Sequence, residues 1–146
     1  MDAPVTYEPR YLAGILFFNR QDYFEAHEVW ESLWMECAGP ERRFYQALIQ
    51  AAVALYHFGN GNLRGAVKLF HSSRNYMQTY GEQYLGLDAA KFWEQMQQCF
   101  NDVLASSDPD RNLRPQDELL PTITLDPAPP SWPNPQEFIE EEDADE

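Results

Sequence analysis

The residues of this chain best suited to chemistry stand in two short runs. The first, Tyr23-Phe24-Glu25-Ala26-His27-Glu28-Val29-Trp30-Glu31-Ser32-Leu33-Trp34, mixes one imidazole and several carboxylates with aromatic rings. The second places Gln46, Gln50 and His57 among Phe44, Leu48, Ile49, Val53, Leu55, Tyr56 and Phe58. Imidazole and carboxylate groups carry protons near neutral pH and ligate metals, and side-chain amides orient hydrogen-bonding ligands. The spacing restricts what these groups can do. His27-Glu28-x-x-Glu31 lacks the second imidazole of the H-E-x-x-H zinc helix. The E-x-x-H pairs of di-iron bundles are missing too, because Ala54 stands three before His57 and Lys68 three before His71. No serine or cysteine lies in a nucleophile motif, and Gly59-Asn60-Gly61-Asn62 reads as a helix connector rather than a phosphate loop. No catalytic residue, metal or cofactor is therefore assigned.

Both runs have helical periodicity. At about 100° per residue, Glu25, Ser32 and Glu36 share a wet face of the first run, and His27 falls with Tyr23, Trp30 and Trp34 on the aromatic side. Glu31 stands four residues after His27, in contact range, and Glu28 lies between Phe24 and Met35. The second run is apolar nearly all round, the mark of a central helix, except that Gln46, Gln50 and His57 fall within roughly 40° of one another. A buried polar stripe needs partners. The expectation is that this stripe faces His27, Glu28 and Glu31 across two adjacent helices, in a cleft lined by Trp30, Trp34 and Tyr56. Three readings stand. The cluster is a hydrogen-bonded network that fixes helix pairing, or a pocket for a peptide or small ligand, or a metal or acid–base centre. As a function, a non-catalytic binding module using His27, Glu28, Glu31, Trp34, Gln46, Gln50, Tyr56 and His57 leads. A hydrolase-like enzyme using His27, Glu28 and Glu31 is the alternative.

The elements that position these residues follow from periodicity and breakers. One helix is expected over about Pro9–Phe18, with Asn19 as a left-handed stop. A second follows Asp22, whose capping box Glu25 would complete, and runs to Cys37. Pro40 suits the first turn of a third, which ends at Gly59-Asn60-Gly61. Asn62 can cap a fourth, running to Tyr80, and Asp88 a fifth, fading near Ser106. The fold expected is all-α, a compact bundle of about five antiparallel helices. The helices pair in a repeat-like way at a period of 40 residues, Tyr23 with Leu63, Ala26 with Ala66, Val29 with Leu69 and Trp30 with Phe70. The domain expectation is a helical unit over 1–106, a proline-rich extended strap over 107–136 laid on it, and a disordered acidic tail over 137–146. Leu119, Leu120, Ile123, Leu125 and Trp132 make the strap too apolar for a free linker, and a short strand near 122–125 would need a partner.

The chain has 146 residues and a formal charge of −14, against non-specific binding of nucleic acid or an anionic membrane. Seven of its last ten residues are acidic. No run approaches the ~20 apolar residues of a membrane span. The first residues lack the basic-then-apolar pattern of a secretory signal. Cys37 and Cys99 are isolated and read as buried thiols in a reducing cytoplasm. Arg64, Lys68, His71 and Asn75 form a modestly basic stripe on the fourth helix, a solvent face or a dock for the acidic tail. The partner expected is an unspecified small ligand, protein or peptide; the oligomeric state is not set by the sequence.

Tyr23 through Glu28 with Glu31 and Trp34, then Leu48-Ile49-Gln50 with Tyr56-His57, then Gly61-Asn62-Leu63 with Gly65-Ala66 together resemble a known family. It is the bacterial and plant-plastid family catalogued as domain of unknown function 309. The resemblance covers about residues 9 to 80. It implies a small all-α fold and no assigned activity, cofactor or substrate. By position, the polar residues characteristic of that family correspond here to His27, Glu28, Glu31, Gln50 and His57. This chain departs from the pattern in carrying Ala47 where relatives often have glycine, and Phe58, Gly59 and Asn60 where many have basic residues before the turn.

Overall fold

A computed structural model describes residues 6–139. Five helices dominate: α1 (Pro9–Asn19), α2 (Tyr23–Glu36), α3 (Arg42–Gly59), α4 (Leu63–Gln78) and α5 (Ala89–Leu104). A hairpin of two-residue strands, β1 (Gln83–Tyr84) and β2 (Leu87–Asp88), joins α4 to α5. Among the described residues after α5 there are two short 3-10 turns, Asp117–Leu119 and Pro135–Phe138, and otherwise extended or irregular chain. The architecture is the expected all-α bundle with an unforeseen two-strand turn. Its turn residues sit at positive φ, 47° at Leu85 and 78° at Gly86, and two-residue strands are too short to leave a period-2 signal.

The α1–α2 and α3–α4 hairpins turn in the same way. In each, a helix ends, the next residue keeps a negative φ, the one after adopts positive φ, and a polar residue takes the cap position of the next helix. Gln21 has φ 69° and Gly61 has φ 82°. Asp22 N donates to Phe17 O and Asn62 N donates to His57 O, both at 2.9 Å. The left-handed residue of the first turn is thus Gln21, and Asn19 remains inside α1. Asn62 caps α4 as expected, its Oδ1 accepting from Gly65 N at 3.0 Å, and Asp88 caps α5 through Lys91 N at 3.0 Å. Asp22 holds the cap position of α2 without a side-chain bond, so the expected capping box does not form; its exposed carboxylate is left to water. Pro40 precedes α3 instead of opening it, and its carbonyl accepts from Tyr80 Oη at 2.6 Å.

Helix α3 is central, as its all-round apolar pattern predicts. It packs against α2 on one side and α4 on the other. Close approach is allowed by alanines at the seams: Ala26, Ala47, Ala51, Ala52, Ala54 and Ala66 are all fully buried. Buried Ser73 of α4 donates its hydroxyl to Ala47 O at 2.5 Å and ties α4 to α3. On the other flank α1 packs on α2 through one close fit. Trp30 is fully buried and donates Nε1–H to Tyr11 O at 3.1 Å, with its indole lying where a side chain on Gly14 would be. Phe18, Tyr23 and Phe92 of α5 continue this aromatic core, as do Phe58 and Phe70 packed against Phe100 of α5.

The proline-rich segment lies against the helices at named points. Asn19 accepts from Ile123 N at 2.8 Å and donates to Ile123 O at 2.9 Å, a two-point clasp on a buried residue. Leu125, also buried, bridges Leu87 of β2, which supplies the partner that a strand near 122–125 required. Tyr7 Oη donates to Pro127 O at 2.6 Å. Most of the acidic tail, residues 140–146, falls outside the described residues, as do residues 1–5. Among the described residues no helix is long and apolar enough to cross a membrane.

Candidate functional site

The polar cluster read from the sequence is carried by α2 and α3, which run antiparallel across the short Cys37–Glu41 connection. At one end of the pair, Phe24 of α2 and Tyr56 of α3 place their ring centroids 5.8 Å apart. Both rings stay largely in water, 44% and 42% exposed, which is costly for a pair of large aromatics with no further role. The ring of His27 lies 5.4 Å from that of Phe24. Its Nε2 is 3.1 Å from Glu31 Oε2, the i,i+4 pairing that the helical spacing predicts, and its Nδ1 is 3.1 Å from Phe24 O. Both partners are acceptors, so both bonds form together only when the ring carries both protons. The imidazole is neither core nor surface, with a side chain 24% exposed, and Glu31 is more open than its partner. Glu28 lies on the exposed side, one turn from Phe24.

At the other end, Trp34 of α2 is half-buried beneath α3, and the Arg42 guanidinium stacks 4.0 Å above its ring. Arg43 of α3 lies over the ring of Tyr76 of α4, 5.6 Å from its centroid. Two polar atoms on the facing helices remain unpaired. Trp34 Nε1 and Gln50 Oε1 are buried without a hydrogen-bond partner among the described residues. Gln46 is half-buried on the same face of α3.

The remaining expected contacts distribute differently. His57 leans on Tyr56, at 6.2 Å between rings, and its Nδ1 lies 3.4 Å from Asn62 Nδ2, so it serves the α3–α4 turn. Neither His27 nor Glu31 hydrogen-bonds to Gln46, Gln50 or His57 among the described residues. Trp30, expected to line the cleft, does not. It turns to α1, because glycine at position 14 opens a slot there and Tyr11 offers a carbonyl. The wheel sets Phe24 beside Glu28 but carries no sign of its contact with Tyr56; an aromatic on the polar side of a helix is the available signal. Among the described residues no three His, Cys, Asp or Glu side chains gather in a way that could hold a metal. Burial pushes the Tyr23 and Tyr45 phenols far above their ordinary range, and that of Cys37 shifts its thiol upward as well, so none of the three is poised as a nucleophile or base near neutral pH.

The comparisons with known proteins bear on the same stretch of chain. The Uncharacterized protein YpuF of Bacillus subtilis (strain 168) is 37% identical over 90 residues, 60% of this chain and 52% of the relative. The chain thus matches about half the length of that relative. Residues 11–69, from the body of α1 through the first half of α4, match the family described as Domain of unknown function (DUF309), and that stretch contains the helices that carry the cluster.

Proposed function

We propose that the chain is a non-catalytic binding module that seats a peptide or small ligand on the face shared by α2 and α3. The observation that carries this reading is the pair of buried, unpaired polar atoms, Trp34 Nε1–H and Gln50 Oε1, on the two helices. Buried donors and acceptors are almost always paired in folded proteins, and leaving each one unmade costs about 1–3 kcal/mol. A ligand offering one acceptor and one donor would recover that loss. The exposed Phe24–Tyr56 pair supplies apolar area beside them, and the half-buried His27–Glu31 pair supplies a polar group that can reorient.

The test is an NMR screen of the isotopically labelled protein against a small-fragment library and a set of short helical peptides. Binding on this face moves the Trp34 indole N–H, the Gln50 side-chain amide and the His27 ring together. Hits confined to other parts of the molecule would overturn the reading. Metal analysis of protein purified without an affinity tag covers the alternative, a metal-dependent or acid–base enzyme. Stoichiometric metal that disappears in His27→Ala would favour that alternative over a binding module.

A further inference from the structure

Two concavities lie away from the α2–α3 face. One is a solvent-open cleft of about 710 Å³ between α4 and α5, whose rim of Glu82, Glu94 and Arg74 favours no one occupant. The other is a groove with an occupant already in it. Asn19 at the end of α1, Leu87 of β2, and Phe92 and Gln95 of α5 border it, and residues 121–126 of the proline-rich segment lie along it.

The segment is seated as an extended peptide ligand would be. Its side chains alternate: Pro121, Ile123 and Leu125 are buried, and Thr122, Thr124 and Asp126 are exposed. A period of two marks an extended chain with one face on a surface. The Asn19 amide spans Ile123 N and O at 2.8 and 2.9 Å, and Gln95 Oε1 accepts from Thr122 N at 2.9 Å. Gly86 O accepts from Asp126 N at 2.9 Å, and Tyr7 Oη donates to Pro127 O. Each of these bonds reaches a main-chain atom of the segment, so the grip is indifferent to its side chains and the buried alternate positions supply the selectivity. Peptide recognition by strand addition divides the work in the same way. The bridge between Leu125 and Leu87 sets the segment beside β2, where an added strand would lie.

The segment is also separable from its seat. The chain leading to it is exposed over residues 105–108 and 110–112. A gap of about 180 Å³ remains between segment and helix, lined by Asp88, Lys91 and Gln95 on one side and Thr122, Thr124 and Asp126 on the other. The two walls touch each other directly, Phe18 of α1 against Phe92 of α5 with centroids 5.8 Å apart, so the groove has a floor of its own.

We propose that this groove docks an extended segment of another protein carrying apolar side chains at alternate positions, and that residues 121–126 are a resident stand-in which the incoming segment displaces. Two copies of this chain, each at −14, repel one another, which disfavours an exchange of straps between copies. A tethered competitor acts at high effective concentration, so the incoming segment meets only those molecules whose strap is out. This site is separate from the α2–α3 face, and each can fail without the other.

The experiment uses the full chain, labelled with nitrogen-15, and a capped peptide of residues 119–126. Ile123→Ser with Leu125→Ser weakens the strap and leaves the groove residues in place. This variant should keep its helices and bind the peptide, and binding should return the Asn19 side-chain amide to its resonance position in the parent. The parent should bind the same peptide at least about tenfold more weakly, because its groove is filled. A peptide with serine at both buried positions should bind neither protein, and one with serine for both threonines should bind as well as the original. Adding Asn19→Ala to the strap variant should weaken peptide binding about tenfold, through loss of the two-point clasp. Loss of the helical circular-dichroism signal in the strap variant would make the segment part of one cooperative core and overturn the inference. So would equal affinities of parent and strap variant, or an Asn19 amide unmoved by the peptide. A parent chain that dimerises by exchanging straps at the same concentrations would make a second copy the occupant, and overturns it too.

Discussion

The turn at Gln21 makes a sharp thermodynamic prediction because the molecule contains its own control. Gln21 and Gly61 occupy equivalent places in two hairpins with the same backbone hydrogen bond, at φ 69° and 82°. A side chain in the left-handed region costs roughly 1–2 kcal/mol, which glycine does not incur. Glycine in turn gives the unfolded chain extra freedom, worth about 0.4–1 kcal/mol against the fold. Gln21 is exposed and makes no side-chain hydrogen bond in the structure, so its removal costs little else. Gln21→Gly should therefore stabilise the protein by about 0.5–1 kcal/mol, or about 2–4 °C per kcal/mol in melting temperature for a chain of this size. Gly61→Ala should do the reverse by about 1 kcal/mol. Its new methyl would also meet the Arg114 guanidinium, but that is the free end of a flexible side chain and can move aside, so the backbone strain sets the magnitude. Urea unfolding followed by circular dichroism measures both variants, with an unchanged slope as the check that only stability moved. A destabilised Gln21→Gly, or a Gly61→Ala indistinguishable from the parent, would refute the argument.

Other expectations follow from single contacts. Gly14→Ala drives a methyl into the fixed Trp30 indole and breaks its bond to Tyr11 O, and should cost about 3 kcal/mol in chemical denaturation. Ser73→Ala removes the buried tie between α4 and α3, and should lower the unfolding free energy by about 1 kcal/mol with no change in helix content. Asn19→Ala opens the two-point clasp on Ile123, and should cost about 2 kcal/mol and speed limited proteolysis within residues 113–126 before the helices are cut. Stability should fall with rising pH in the alkaline range. Burial raises the Cys99 thiol from 9.0 to about 12, so between these values the folded state holds a proton that the unfolded state has lost. Buried Tyr11, Tyr23 and Tyr45, also raised by burial, add losses of the same sign, and Cys99→Ala should flatten the early part of the slope in a urea titration across that range.

How far the sequence could be read depended on whether a feature was local. The helices, and the caps at Asn62 and Asp88, depend on neighbours within four residues, and periodicity and side-chain type suffice for them. The His27–Glu31 pair is legible for the same reason. The direction of Trp30 is not, because a helical wheel gives an angle but not which neighbour stands there. That depended on the absent side chain at Gly14, on the preceding helix. His57 likewise shares a wheel face with Gln50 yet is held by Asn62, a contact made by the turn rather than by the facing helix. The small β-hairpin escaped because its strands are two residues long and its register rests on Leu85 and Gly86 at positive φ. The α4–α5 cleft left no mark at all in the sequence. Its walls are surface glutamines and glutamates over a buried apolar floor, a juxtaposition visible only in three dimensions.

The clasp between Asn19 and Ile123 has a consequence during synthesis. A helix completed early leaves the ribosome with its last side-chain amide unmatched, and the strand-like partner follows only after some hundred further residues have been translated. The intervening helices can pack in the meantime through near-neighbour contacts, which form quickly. Final locking is then a separate late event, set by how soon the proline-rich stretch finds its place. A nascent chain stalled before residue 123 should accordingly hold its helices yet remain easy to pull apart.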